Sequence, residues 1–305
     1  MEKQENTNIK TRKRITYSQN FLRSKDLVVS LITKSSISSD DVVYEIGAGQ
    51  GVITEQLIKV CSKVMAFEID QNLASKLASR FQNKAVEIKQ GDFLSYPLPQ
   101  TAYKVFSNIP FNITADVIKK LTQSMNPPED AYLIVQKEAA NKFVGKPYDS
   151  KNSQMAILLK PWFDLEIVHR FRRTDFFPTP SVDSVLLRIK KTNEPSIAPE
   201  LKRQYEDFVV FTFNQFKPNV IEGLAPIFGK GTLFKLSKDF NFPPNSKPSE
   251  LEFQAWVQLF TFFSKQIDSK NRVKVVGSAN KLFRLQKGLE KVHRTRTDKN
   301  WKKYS

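Results

Sequence analysis

The sequence has little of what builds disulfide-bonded or zinc-bound proteins. Among 305 residues there is one cysteine, Cys61, and there are two histidines, His169 and His293, far apart in the chain. An internal disulfide is excluded, no pair of ligands has zinc-site spacing, and no metal is expected. Cys61 ends the apolar-rich stretch Leu57-Ile58-Lys59-Val60-Cys61 and reads as a small buried hydrophobe. Long hydrophobic runs are missing as well. No uninterrupted apolar stretch approaches the roughly 18 residues that span a bilayer, and no apolar segment follows the polar N-terminus as in a secretory signal. No membrane partner is expected, and the cytoplasm is the expected location. Acidic residues are also in short supply: 48 Lys and Arg stand against 31 Asp and Glu, a net charge of +17. The excess lies at the ends. Residues 1–25 carry +5 and residues 265–305 carry +10, which leaves +2 for everything between. A nearly neutral body with two basic ends suits a polyanion, and the tail lacks the strong apolar face a membrane would need.

What is present points to a folded protein. Hydrophobic residues make up 40 % of the chain and aromatic ones 11 %, 24 of them Phe, which excludes a disordered chain. The length suggests about two domains. From Asp40 onward strand and helix signals alternate, the pattern of a doubly wound parallel sheet. Strands are expected at residues 42–46, 64–67, 86–88, 103–107 and 132–135, with helical stretches between them, such as the one marked by Leu73, Leu77 and Phe81. Two further strands, 165–171 and 185–189, read as antiparallel and flank the loop Phe176-Phe177-Pro178-Thr179-Pro180. The segment 193–199, with two prolines among polar residues, is the best boundary. Only helical signals follow it, among them an apparent capping box from Ser249 to Glu252 that starts a helix carrying Leu251, Trp256, Leu259, Phe260 and Phe263. These aromatics read as core. The division is thus a disordered basic N-terminus (1–16), a catalytic α/β domain (17–192), a small all-helical domain (193–264) and a basic flexible tail (265–305), in which 279–289 can become helical on RNA.

The chemistry gathers at strand ends. Glu45-Ile46-Gly47-Ala48-Gly49-Gln50-Gly51 lies between the first strand and first helix, where glycines allow a tight turn and close approach of backbone to ligand. Its third glycine comes one residue earlier than in dinucleotide-binding loops, which suits a compact aminoacyl group better than a pyrophosphate. Glu68, at the end of the second strand, is placed to accept from both ribose hydroxyls, whereas Asp70 reads as a helix cap. Asp92 can accept from an adenine amino group, and Phe93 offers an amide and a ring. After the fourth strand comes Asn108-Ile109-Pro110-Phe111. The Asn108 side-chain carbonyl and Ile109 backbone carbonyl can grip an exocyclic NH2 and localise its lone pair for attack on a sulfonium methyl. Pro110 fixes the turn, and Phe111 can stack on the target base, a contact worth roughly 1–3 kcal/mol. On its own the tetrapeptide reads as an Asn-Pro turn, and it is the apparent cofactor site before it that favours the chemical reading. The Phe176-Phe177 loop offers a second ring for an extruded base, or an ordinary packed loop.

Ser18-Gln19-Asn20-Phe21-Leu22, the glycine loop, Phe67-Glu68-Ile69-Asp70, Gly91-Asp92-Phe93, Asn108-Ile109-Pro110-Phe111 and Phe176 to Ser184 occur in this order. Together they resemble the ribosomal RNA adenine N6-methyltransferases, the superfamily of the Erm and KsgA enzymes and the mitochondrial transcription factors related to them. The resemblance covers residues 17–190. It implies a Rossmann-like class I methyltransferase sheet with a small C-terminal all-helical domain, S-adenosylmethionine as cofactor, and RNA as substrate. Asn20, Leu22, Gly47, Gly49, Glu68, Asp92, Phe93 and Asn108 are then the expected cofactor contacts. Asn108, Ile109, Pro110, Phe111 and Phe176 form the expected catalytic set, with Phe176 as second stacking aromatic and Phe177 in a variable place. Ile109 in place of Leu and Ala48 in place of Pro resemble Erm. That implies a monomer acting on 23S rRNA, naked or in an assembling large subunit, and resistance to macrolides, lincosamides and streptogramin B. The alternatives are a KsgA-type dimethylase of small-subunit RNA and a non-catalytic RNA-binding or transcription factor on the same fold.

Overall fold

The alternating signals resolve into a seven-stranded sheet flanked by helices. In a computed structural model, which describes residues 20–147 and 152–287, a two-residue strand Phe21–Leu22 (β1) and a helix Lys25–Thr33 (α1) come first. Then follow Val42–Ile46 (β2), Val52–Leu57 (α2), Lys63–Glu68 (β3), Gln71–Arg80 (α3), Val86–Gln90 (β4), Lys104–Asn108 (β5), Thr114–Gln123 (α4) and Asp130–Gln136 (β6). Strands β2 to β6 run parallel in the order β4-β3-β2-β5-β6. The chain steps outward from β2 to β4 and then crosses to β5 on the other side. A switch point therefore opens between β2 and β5, where open α/β sheets bind ligands. The N-terminal segment read as disordered, 1–16, lies outside the described residues.

Helices Lys137–Val144 (α5) and Gln154–Leu159 (α6) lead to Phe163–Arg170 (β7), Phe176–Phe177 (β8) and Ser184–Lys191 (β9). Strand β9 inserts between β6 and β7, antiparallel to both, and completes the sheet. Away from the sheet, β1 and β8 form a short antiparallel ribbon in which Phe21 faces Phe177 and Leu22 faces Phe176.

Period-two alternation fills both faces. Along β6, Ala131, Leu133 and Val135 join one buried cluster, while Tyr132 and Ile134 join the other. The first cluster continues into a helical subdomain of Lys202–Phe213 (α7), Val220–Phe228 (α8), Lys230–Asp239 (α9) and Phe253–Gln266 (α10). The Tyr205 hydroxyl donates to the Ile157 carbonyl at 3.0 Å and ties the subdomain to α6. Leu251, Trp256, Leu259, Phe260 and Phe263 are all buried, as core residues should be. Among the described residues, no helix is long and apolar enough to cross a membrane.

Two expectations need correction. The Ser249 to Glu252 capping box does not form. Pro248–Glu250 is a 3-10 turn in which Glu250 accepts from the Lys247 amide at 2.8 Å, and α10 starts only at Phe253. Pro248 fixes the turn one step early and leaves Leu251, extended, to fill the core. Nor is 265–305 a flexible tail throughout. Ser269–Arg272 (α11) and Ser278–Lys287 (α12) are helical, and Val275 between them is 1 % exposed. The rest of that segment, 288–305, is outside the described residues.

Candidate active site

The carboxyl ends of β2, β3 and β5, with the turn after β4, converge on one cleft of about 980 Å³, counting the part open to solvent. Gly47 lies at its floor, where φ is +75° and a Cβ would meet the Pro110 ring at 3.6 Å. The amides of Gly47 and Ala48 both donate to the Phe67 carbonyl, at 2.8 and 3.0 Å, so the loop leans toward the end of β3. There Glu68, 1 % exposed, accepts from the Gly49 amide at 2.7 Å and the Asp70 amide at 2.9 Å. Each carboxylate oxygen thus has one fixed partner and keeps acceptor capacity for another. Gly49 does not line the cleft; its contribution runs through Glu68. A Cβ at Gly49 would come within 2.7 Å of the Phe21 ring, so this glycine is what lets β1 lie across the loop. Asp70 caps α3, accepting from the Asn72 and Leu73 amides, as expected.

At the far side, Asp92 accepts from the Leu94 amide at 2.9 Å through one oxygen, and the other oxygen is left for a ligand. Phe93 is buried beneath it, packed edge-on against Phe67. Lys120 of α4 lies over the Phe93 ring and donates to the carbonyls of Leu94 and Tyr96, which pins this corner.

Asn108 is oriented by its neighbour. Its side-chain nitrogen donates to the Asn20 backbone carbonyl at 2.6 Å. A carbonyl can only accept, so the NH2 end of Asn108 must face Asn20 and the oxygen must turn the other way. The Ile109 amide is held by the Ile134 carbonyl at 3.1 Å, and Pro110 accepts from Ile113 to start the 3-10 turn that carries Phe111. Asn20, Phe21, Gly47, Glu68, Asp92, Phe93 and the run Asn108 to Ile113 therefore share one cleft. Leu22 borders only a small adjoining cavity behind the glycine loop.

Phe176 is not where the sequence suggested. It is 1 % exposed and packs edge-on against Phe171, so neither ring face is open to a base. The ribbon explains this. In an antiparallel pair, residues opposite each other share a side, so Leu22 and Phe176 go to the core while Phe177 shares the outer side with Phe21, which lines the cleft. Phe177 is 62 % exposed, with the Arg23 guanidinium 5.2 Å from its ring centre.

Sequence reasoning gave no role to two residues that matter here. Phe21 lines the cleft; its alternation with Leu22 was a signal too short to read. Glu45 is buried beneath the glycine loop, where loss of hydration pushes its carboxyl up to about 8, and the Thr54 hydroxyl donates to it at 2.5 Å.

Comparison with known proteins accounts for this arrangement. The family described as ribosomal RNA adenine dimethylase matches residues 10–265. The chain belongs to that family. It is a methyltransferase that uses S-adenosylmethionine to methylate adenine N6 in ribosomal RNA. Among relatives of this methyltransferase, the ribosomal RNA small subunit methyltransferase A of Mycoplasmopsis pulmonis is 26 % identical over 245 residues, 80 % of this chain and 96 % of that protein. The one from Mycoplasmopsis synoviae is 29 % identical over 249 residues, covering 81 % and 95 %. Two crystal structures share the fold. ErmE, a 23S rRNA methyltransferase, has a TM-score of 0.73 at 24 % identity, over 81 % of this chain and all of that one. A dimethyladenosine transferase from Plasmodium falciparum has a TM-score of 0.67 at 22 % identity, over 81 % and 98 %.

The expectation of an Erm-type enzyme, with 23S rRNA as partner and antibiotic resistance as outcome, is thereby corrected. The curated relatives are small-subunit methyltransferases, and the likeness to ErmE is one of fold alone. The physical reason lies in the two residues that suggested Erm. Ile109 is 1 % exposed and Ala48 7 % exposed, so their side chains report packing around the turn and loop rather than contact with a particular RNA.

Proposed function

We propose that this family member dimethylates adenine N6 in small-subunit ribosomal RNA. The observation that carries the reading is the group of relatives named for the small subunit, which this chain matches over about 95 % of their length. The reading also assigns the chain to the cytoplasm, where such RNA is found.

The cleft fits the cofactor: glycine leaves room beside Pro110, Glu68 can accept from a ribose, and Asp92 has an oxygen for an amino group. Gly47 and Asn20 would border the methionyl end, Glu68 the ribose, and Asp92 with Phe93 the adenine, with Leu22 and Gly49 in support. S-adenosylmethionine, when bound, supplies an electrophilic methyl.

The chain's own residues do the rest by position. The Asn108 oxygen and the Ile109 carbonyl accept from the two protons of the target amine and draw its lone pair out of the ring. After one methylation a single N–H remains, and one acceptor suffices to hold it. Pro110 keeps the turn rigid and has no amide hydrogen to compete. Phe111 stacks on one face of the extruded base, and Phe177, rather than Phe176, offers the ring on the other side. No general base is required, because a nitrogen made cationic by methylation loses its proton to water.

Incubation with radiolabelled methyl donor and naked small-subunit RNA, large-subunit RNA or DNA tests the proposal. Label should enter small-subunit RNA and be recovered as N6,N6-dimethyladenosine after digestion. Label confined to large-subunit RNA, or transfer to none of the three, would refute it.

A further inference from the structure

We propose that residues 267–287 form a docked, RNA-gripping strap that lays a basic helix beside the lip of the methylation cleft. The inference rests on the RNA-methylating reading of that cleft. The segment lies beyond the 10–265 span that matches the family.

Four contacts dock it. The Arg272 guanidinium donates to the Ser264 carbonyl at 2.7 Å, and the Lys274 ammonium to the Pro226 carbonyl at 2.9 Å. Val275 is buried in the same cluster as the α7 and α10 aromatics. Most telling is the start of α12. The first amides of a helix have no partner within it. Here Asp207 of α7, 70 residues earlier, accepts from the Gly277 amide at 2.8 Å and the Ala279 amide at 2.9 Å. An anionic cap at a helix N-terminus is favourable in both hydrogen bonding and dipole, so Asp207 works as a latch.

The latch fixes where α12 goes. At its far half the ring of Phe283 meets the ammonium of Lys119 on α4, 5.1 Å from the ring centre. The strap therefore starts on the helical subdomain and ends on the methylating domain. Lys119 lies six residues beyond Ile113, the cleft-lining residue that caps the start of α4, an axial rise of about 9 Å.

Its chemistry selects the partner. From Ser269 to Leu289 the sequence has six Lys or Arg and no acid, and residues 288–305 add six more against two. On α12, Ala279 and Leu282 are half-buried, while Lys281, Arg284 and Leu285 are exposed. A helix docked through one edge and basic on the other suits phosphates of an RNA whose target base has entered the cleft.

The test uses the full-length chain and a small-subunit RNA transcript, with affinity measured across a salt series. K281Q/R284Q keeps the docking contacts. It should lower the slope of log affinity against log salt by about 1.4 to 1.8 for two lost phosphate contacts, and raise KM for RNA at unchanged kcat and cofactor affinity. D207A should expose the amides of 278–286 to rapid hydrogen exchange and reduce RNA affinity in the same direction. A wild-type salt slope in K281Q/R284Q, with α12 still protected, would overturn the proposal and leave a packing strap or a site for a protein. Binding is read without methyl transfer, so a wild type that grips this RNA but never methylates it would count against the proposed function and not against the strap.

Discussion

Asn108 shows how one neighbour turns a common residue into a directed one. Asparagine after a strand is an ordinary turn former, and the sequence could not say which end of its amide faces the cleft. The Asn20 carbonyl decides, because an acceptor at 2.6 Å admits only the NH2. Glu45 shows the converse. It was visible in the glycine-loop motif, but its burial was not, since burial depends on what packs over the loop. With its folded pKa near 8 against an ordinary value of 4.5, Glu45 binds a proton more tightly in the folded state than in the unfolded one. Its effect is absent below about pH 4.5, and stability should fall as pH rises from there to about 8. Glu45→Gln should flatten that part of the profile in denaturant titrations. An unchanged slope would mean that the carboxyl is ionised at neutral pH.

At the scale of elements, inner strands such as β2, β3 and β6 were legible because both faces of the sheet are covered there, so they read as largely apolar runs, while edge strand β4 was legible by its alternation. The antiparallel ribbon β1–β8 was not. Two residues per strand carry no periodicity, and which phenylalanine faces inward depends on a partner 154 residues away, Leu22 opposite Phe176. The register makes a sharp prediction about the pair. Phe176→Ala empties a core site and should cost about 3–5 kcal/mol of stability, read as a large drop in melting temperature. Phe177→Ala should leave melting unchanged but weaken RNA binding by about 1–3 kcal/mol. The reverse pattern would restore Phe176 as the stacking residue. The missed start of α10 has a similar origin: Ser249 and Glu252 have capping-box spacing, but Leu251 is needed in the core, and the helix waits until Phe253.

At the scale of the molecule, charge distribution in the sequence pointed correctly to a polyanion but not to the shape of the basic end. Part of that end is folded onto the subdomain through Asp207 and Val275, partners that no local pattern reveals. Deleting 288–305, which carries six Lys or Arg against two acids, should flatten the salt dependence of RNA binding. Deleting 266–305 should flatten it further and also lower the melting temperature, since it removes a buried valine and leaves Asp207 without its amides. Equal melting temperatures for the two truncations would show that the strap adds nothing to stability. Branch within the family was the least legible property, because Ile109 and Ala48 face the interior.

The claim on which the rest depends is that Asn108 presents its side-chain oxygen to the target amine while its nitrogen stays on Asn20. Asn108→Ala, measured by calorimetry for cofactor affinity and by single-turnover transfer to RNA, tests it most directly. The account predicts cofactor affinity within a few-fold of wild type and transfer slower by at least about 10²-fold. Transfer at the wild-type rate in that variant would contradict it.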